Sequence, residues 1–404
     1  MRILFDGRGV RERSDGLGNY VRRLLASLLS IDQTNEYVVL MTRTLANDLA
    51  QADLLDHPNL RPVVTPIPFM GAAQQLQIPQ LARRLGPMSV YHYPHFDLPL
   101  AAHPRSVVTI YDLNHLSFPE YFDSLRPLKQ LYSFQTTRWT ISRAREIIAI
   151  SNTAKSHLLQ RFPWLDPQKV TVIYFGANEA FRTPPDPERL RAFRQKFQLG
   201  EGCFILYVGT HRAHKNLDRL LEAYRRLAVE SACPHGLLLV GSPKDDGDLQ
   251  AQIAALGLGE RVKALGHIAD DELPLAYRVA DVFAFCSLSE GFGMPLLDAM
   301  VSEVPIVTSN LGAMAEVAGE SAVLVDPFTV ESIADGLARV LGSEALRRRL
   351  IAAGVERATR FTWEAAARKT VELYARASGA APATQGRAAQ RPLVGVAPVD
   401  CALR

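Results

Sequence analysis

The stretch "DVFAFCSLSEGFGMPLLDAMVSEVPIVTS", residues 281–309, decides how the rest of the chain is read. "DVFAFC" (281–286) is a short apolar run of strand type. Gly291 and Gly293 break any regular element and let the backbone approach a ligand closely. Pro295 suits the first position of a helix, where its missing N–H would be unpaired anyway. A helix therefore begins near Met294 or Pro295, and "PIVTS" (305–309) returns to strand. Strand, glycine loop, helix and strand in one run is the unit of a parallel sheet.

The same rhythm extends in both directions. "CFILYVG" (203–209), "GLLLVG" (236–241), "RVKALGHI" (261–268) and "SAVLVD" (321–326) read as further strands, with helices such as "NLDRLLEAYRRLAVE" (216–230) and "TVESIADGLARVL" (329–341) between them. In the first half, "RILF" (2–5), "EYVVLM" (36–41), "LRPVV" (60–64), "SVYHY" (89–93), "SVVTIY" (106–111), "EIIAI" (146–150) and "VTVIY" (170–174) read as strands. The first helix is expected over 19–30, where Tyr20/Val21, Leu24/Leu25 and Leu28/Leu29 recur every four residues and draw one buried stripe.

Two such series imply an α/β protein with two Rossmann-like, doubly wound parallel-sheet domains facing across a cleft. The expected division is an N-terminal domain over 1–176, a linker over 177–202, a C-terminal domain over 203–360, a closing helix over 361–376 and a disordered tail over 377–404. The three prolines of "FRTPPDPERL" mark the linker, and richness in Ala, Gly and Pro marks the tail.

Composition narrows the function classes. With 404 residues, 48% hydrophobic and 22% charged, the chain is globular and long enough for two or three cores. A net charge of +3 gives no nucleic-acid footprint. Cys203, Cys233, Cys286 and Cys401 form no C-x-x-C pair, so neither a zinc nor a redox motif is read, and a reducing compartment is the simplest setting. The start lacks the apolar core of a signal peptide, and no apolar run approaches the ~18 residues of a membrane span. The expected location is cytoplasmic, with peripheral contact on the inner face of the membrane left open. The basic, aromatic segment 125–145 is the candidate for that contact.

Ligands of open α/β sheets bind outside the carboxyl ends of the strands, so chemistry is expected in loops that follow strands. Glu290 lies in such a loop, and Asp298 lies near the first turn of the next helix. The free N–H groups of that turn and the helix dipole make an anion site framed by two carboxylates. In "VGTHRAHKNLDRLLEAY" (208–224), Lys215 stands at a helix entrance suited to a diphosphate, and Asn216 suits a helix cap. Gly16 and Gly18 in "SDGLGNY" (14–20) allow close backbone approach before the first helix. "VVTIYDLNHLSFPEYF" (107–122) places Tyr111, Asp112 and His115 after another strand, and His92 and His95 lie in neighbouring strand-end positions. "LGHIADDELPLAY" (265–277) is a strand-to-helix turn.

These residues resemble a known family. Glu290-Gly-Phe-Gly-Met-Pro-Leu-Leu-Asp298-Ala-Met is similar to the E-x7-E signature of family 4 retaining GT-B glycosyltransferases (glycosyl transferases group 1), whose usual form is close to E-G-F-G-x-P-x-x-E-A-M-A-x-G-x-P-V-V. The resemblance to this family covers about residues 1–376 and is strongest over 203–330; within it the chain is most similar overall to bacterial polysaccharide mannosyltransferases. Asp298 stands where Glu is usual, and Glu303 where Gly is usual. The resemblance implies a GT-B fold and transfer of a sugar, with retention, from a nucleotide-diphosphate donor such as GDP-mannose. The implied acceptor is a saccharide or lipid-linked molecule of surface polysaccharide synthesis. It implies Glu290 and Asp112 as catalytic, and Gly16, Gly18, Lys215, His267, Ile268, Glu290, Gly291, Phe292, Gly293, Met294 and Asp298 as donor-binding. Tyr111, where His is common, His95 and His115 become sugar or acceptor contacts. Lys215 falls on the phosphate-binding lysine, while His214 replaces an Arg and makes one charge depend on pH. No metal or cofactor is required.

Other readings are weaker. Asp246-Gly-Asp248 has the form of a metal-binding D-x-D, but acids before a helix are ordinary dipole partners. "GRGVRE" (7–12) lacks the third glycine of a dinucleotide loop, and no acid for a ribose follows the second strand. A GT-B sugar phosphorylase or epimerase, or a non-catalytic nucleotide-sugar binding protein, stays as the alternative.

Overall fold

The computed structural model describes residues 1–11, 16–113, 127–230, 233–241 and 247–379. His115, Asp246 and most of the expected tail lie outside these residues. Every strand read from the sequence is present. The first sheet has seven strands: β1 (Arg2–Asp6), β2 (Glu36–Met41), β3 (Leu60–Val64), β4 (Val90–Tyr93), β5 (Ser106–Ile110), β6 (Glu146–Ala149) and β7 (Val170–Val172), in the order β3-β2-β1-β4-β5-β6-β7. The second has six: β8 (Phe204–Val208), β9 (Gly236–Val240), β10 (Val262–Gly266), β11 (Val282–Phe285), β12 (Ile306–Ser309) and β13 (Ala322–Val325), in the order β10-β9-β8-β11-β12-β13.

All the strand pairs are parallel. Inner strands such as β8 and β11 are buried almost throughout, because helices cover both faces. Pro62 lies in β3, an edge strand, where a missing N–H is tolerated.

The first helix spans Gly16–Ile31 and buries the expected stripe from Tyr20 to Leu29. It starts earlier than the stripe indicates. Gly16 and Gly18 therefore belong to its first turn rather than to a loop before it. Within the proline-rich stretch, Pro187 opens a helix (Pro187–Lys196) instead of interrupting one, and the Asp186 side chain accepts from the Glu188 N–H.

The chain passes between the two sheets at two neighbouring points. The Ala177 N–H donates to the Phe361 carbonyl at 2.9 Å, and a Cβ on Gly176 would stand 2.2 Å from the Trp363 nitrogen. Beyond this crossing the helix Trp363–Ser378 packs back onto the first domain. Its Tyr374 Oη lies 2.7 Å from His92 Nδ1, and His92 Nε2 lies 3.0 Å from Thr109 Oγ1. Burial pushes His92 down to about 3, so the ring is neutral. His92 is thus a core residue joining the closing helix to the first sheet, and not an acceptor ligand. No described helix is long and apolar enough to cross a membrane.

Glu303 shows what one departure from the usual pattern costs. It adopts φ +59° in the turn before β12, a conformation that glycine enters freely and an L-residue does not. Its side chain is exposed. Glu303→Gly is expected to stabilise the chain by about 0.5–1 kcal/mol, the left-handed strain less the extra backbone entropy of glycine. Thermal unfolding reads this as a raised midpoint; an unchanged or lower midpoint would contradict it.

Candidate active site

Strand order reverses between β1 and β4 in one sheet and between β8 and β11 in the other. A crevice forms where the connections leave in opposite directions, at the carboxyl ends of those strands. Because β8 and β11 are neighbours, the loops after them are brought together although their sequences are far apart. Lys215 Nζ donates to Glu290 Oε1 at 2.5 Å. The same ammonium stands 5.3 Å from the centre of the Phe285 ring.

Two hydrogen bonds stitch these loops. The Leu288 N–H donates to the His214 carbonyl at 2.8 Å, and Asn216 Nδ2 donates to the Cys286 carbonyl at 2.9 Å. Asn216 is buried with φ +60° and also donates to the Pro327 carbonyl at 2.7 Å. Its Oδ1 accepts from Arg219 instead of capping the next helix. Asn216 positions the lysine loop, a role its expected capping function had hidden.

The helix after Glu290 spans Met294–Val301, with Gly293 before it at φ +96°. That positive φ is a conformation an L-residue enters only under strain, and a Cβ there would also displace Met314 Cε, 2.4 Å away. Gly291 meets the first domain directly. A Cβ there would stand 2.2 Å from the Tyr111 carbonyl oxygen and 3.1 Å from Asp112 Cβ. Ser151 Oγ donates to the Gly291 carbonyl at 2.7 Å. A Cβ on Gly16 would lie 3.5 Å from Met294 Cε. Gly16, Tyr111, Asp112, Lys215, Glu290, Gly291, Gly293 and Met294 thus converge on one cleft.

Asp298, on the helix that follows, is half-buried. Burial pushes its carboxyl up to about 7, against the opposing pull of the Arg23 charge from the first domain's opening helix.

Other candidates are placed differently. The Phe292 ring is buried in an aromatic cluster, 4.9 Å from Phe175, 6.1 Å from Tyr174 and 5.9 Å from Phe361 between centroids. The ring therefore packs the two domains together. His214 is buried and pushed down to about 4, chiefly by burial, with Lys215 and Arg212 adding to it and Glu290 opposing. It carries no switchable charge near neutrality, which corrects that expectation. His95 follows β4 at the switch point, with ring centroids 4.2 Å from Phe96 and 5.2 Å from Phe69. His267 is exposed and Ile268 half-buried, just beyond β10 at the sheet's edge.

Both decoys have structural explanations. Arg8 of "GRGVRE" is buried with Asp6, NH2 to Oδ2 at 2.6 Å and Nε to Oδ1 at 2.9 Å, and it also donates to the Pro68 carbonyl at 3.0 Å. Asp248 lies in the first turn of the helix Gly247–Ala255, as a dipole partner does.

Sequence reasoning missed the groups that join the domains. Ser151 caps the helix Asn152–Arg161, accepting from the Ala154 N–H at 2.9 Å, as well as reaching Gly291. A Ser directly after a strand and before a helix is a readable cap signal. Glu316 gives no such signal. It accepts from the Asn152 N–H at 2.7 Å, the Thr153 N–H at 2.9 Å, Thr153 Oγ1 at 2.8 Å and Tyr174 Oη at 2.9 Å. A carboxylate from the second domain thus sits on a helix N-terminus of the first.

Comparison with known proteins adds to this geometry. Residues 14–181 match the family described as Glycosyltransferase Family 4, and residues 190–357 match Glycosyl transferases group 1. O-antigen chain mannosyltransferase B of Escherichia coli is 27% identical over 384 residues, 93% of this chain and 99% of that protein. MMP alpha-(1->4)-mannosyltransferase of Mycolicibacterium hassiacum is 31% identical over 258 residues, 62% of this chain and 59% of that protein. Among solved structures, Anabaena HepE in complex with UDP-glucose superposes with a TM-score of 0.71 at 18% identity, covering 93% of this chain and 100% of that one. That likeness speaks for the fold alone.

Proposed function

The chain belongs to the glycosyl transferases group 1, the family 4 retaining glycosyltransferases, and on that premise we propose that it moves a mannosyl group from GDP-mannose to a lipid-linked or saccharide acceptor of a surface polysaccharide. The observation that carries the site assignment is the Lys215–Glu290 pair at 2.5 Å, beside the glycine loop that opens the helix Met294–Val301.

The chemistry follows from what each group can do. A donor diphosphate competes with Glu290 for the Lys215 ammonium and takes further hydrogen bonds from free N–H groups near Gly293. These groups stabilise the charge that builds on the leaving phosphate. Glu290, released from Lys215, is free to accept from sugar hydroxyls and to face the positive charge developing at the anomeric carbon. Asp112, held against Gly291, faces the sugar or acceptor. Attack on the same face, with the leaving phosphate taking the acceptor proton, gives retention. The domain contacts through Ser151, Gly291 and Glu316 support a closed cleft that excludes water.

The mannosyl assignment is supported by the O-antigen chain mannosyltransferase B relative, matched over nearly its whole length. The lipid-linked acceptor is supported by a cavity of about 1080 Å³ in the first domain, lined by Met70, Leu98, Leu100, Tyr132, Trp139 and Trp164 beside Arg138. Leu98 follows the His95 loop, so this apolar space adjoins the strand ends of the switch point. Peripheral membrane contact through the helix Pro127–Arg143, where Leu131 and Tyr132 are exposed, accords with such an acceptor.

Calorimetry with a panel of nucleotide sugars tests the donor. GDP-mannose is expected to bind tightest; tighter binding of UDP-glucose would overturn the mannosyl assignment. The same titration tests Asp298. Its carboxyl, raised to about 7 by burial, accepts from both ribose hydroxyls only when ionised. Donor affinity is therefore expected to rise from pH 6 to pH 8 and to become flat in Asp298→Asn. An unaltered pH profile in that variant would remove Asp298 from the ribose site.

A further inference from the structure

The amino edge of the second sheet, opposite the cleft, carries a cluster that the transfer reaction does not use. Cys203 immediately precedes β8, His235 precedes β9 and Asp281 precedes β11, and these three strands are neighbours. One ligand atom from each residue lies within 4.8 Å of the others. His235 Nε2 is 3.9 Å from Asp281 Oδ2.

The backbone beneath is fixed. The Gly236 N–H donates to the Cys203 carbonyl at 2.9 Å, the Asp281 N–H to the Phe204 carbonyl at 2.8 Å, and Tyr224 Oη to the His235 carbonyl at 2.7 Å. His235 is oriented from its other side as well, with Nδ1 3.5 Å from Cys233 Sγ. That leaves Nε2 turned toward Asp281 and Cys203, as in metal sites where the second ring nitrogen is held by an outer partner.

We propose that Cys203, His235 and Asp281 form a three-ligand site for a thiophilic divalent cation, zinc by its chemistry. Ligand atoms about 2.0–2.3 Å from a tetrahedral zinc lie roughly 3.3–3.8 Å apart, so small side-chain rotations close the site. Binding replaces the Cys203 S–H bond with an S–Zn bond, and the proton leaves to solvent. The fourth position takes a water. Charges on Arg194 and Arg347 reach this corner. Both guanidiniums are held by backbone carbonyls, Arg194 by Gly200 at 2.7 Å and Arg347 by Leu341 at 2.6 Å. The ion would tie three adjacent strand entries together, at the end of the sheet farthest from the chemistry.

The test uses the full chain, stripped with chelator and titrated with cobalt(II). One equivalent is expected to give a thiolate-to-cobalt charge-transfer absorption that zinc displaces, and zinc is expected to raise the thermal midpoint. Cys203→Ser abolishes the band, and His235→Ala weakens affinity by at least about 10-fold. Cys401→Ser leaves the band intact. Absence of the band in the unaltered chain, its survival in Cys203→Ser or its loss in Cys401→Ser would each overturn the site. Should His235→Ala fail to fold, Cys203→Ser decides alone, because Cys203 is exposed and a serine there disturbs no packing.

Discussion

Glu290→Ala lowers turnover by about 10²–10³-fold while the chain stays folded, the loss expected when one preorganised electrostatic group is removed from a reacting centre. Among the described residues, the Glu290 side chain bonds only Lys215, so truncation leaves no other part of the fold unsupported. The effect belongs in kcat more than in donor affinity. The carboxylate faces charge that develops at the anomeric carbon only as the bond to phosphate breaks. Glu290→Gln preserves size and hydrogen bonding but not charge. It should recover binding of the sugar hydroxyls without recovering the rate. Single-turnover kinetics separates the two quantities, and normal turnover in either variant would exclude Glu290 from catalysis.

Lys215→Ala weakens binding of the nucleoside diphosphate by roughly 10–100-fold, the range for losing a charge-assisted hydrogen bond in a half-buried site. Calorimetry with GDP reads this directly, and unchanged affinity would contradict it. The ion pair makes a second consequence measurable. Removing Lys215 leaves Glu290 without its 2.5 Å partner, so the two substitutions act on a shared element. The double variant is expected to lose less than the sum of the single losses. Lys215→Arg should restore only part of the affinity, because the broad guanidinium fork does not reproduce a compact ammonium donor.

Much of this architecture was legible because parallel strands are short, apolar and bounded by turn residues. "EYVVLM" became β2 residue for residue, and "DVFAFC" and "PIVTS" became the β11–β12 pair. Glycine misled where it was taken for a loop. Gly16 and Gly18 are poor helix formers by propensity, yet the first turn contains both, with Gly16 set against Met294. The helix Gln74–Arg84 gave no clear sign because Pro79 lies inside it.

Within the candidate site, local pattern marked Glu290, Asp298 and Lys215, since each belongs to a strand–loop–helix unit. What local pattern does not carry is pairing across the chain. Ser151 meets Gly291 and Glu316 meets Asn152 only because two separate domains come together. Burial is equally hidden. His92 and His214 look like chemical residues in sequence, but the fold encloses both and holds them neutral.

The central claim is that a nucleotide diphosphate lies across the Lys215–Glu290 pair and the opening of the helix Met294–Val301. A crystal structure of the chain with GDP tests this most directly. The account predicts phosphate oxygens within hydrogen-bond reach of Lys215 Nζ and of the backbone N–H groups near Gly293, with the ribose hydroxyls on Asp298. A nucleotide bound elsewhere, with the Lys215–Glu290 pair undisturbed, would contradict it.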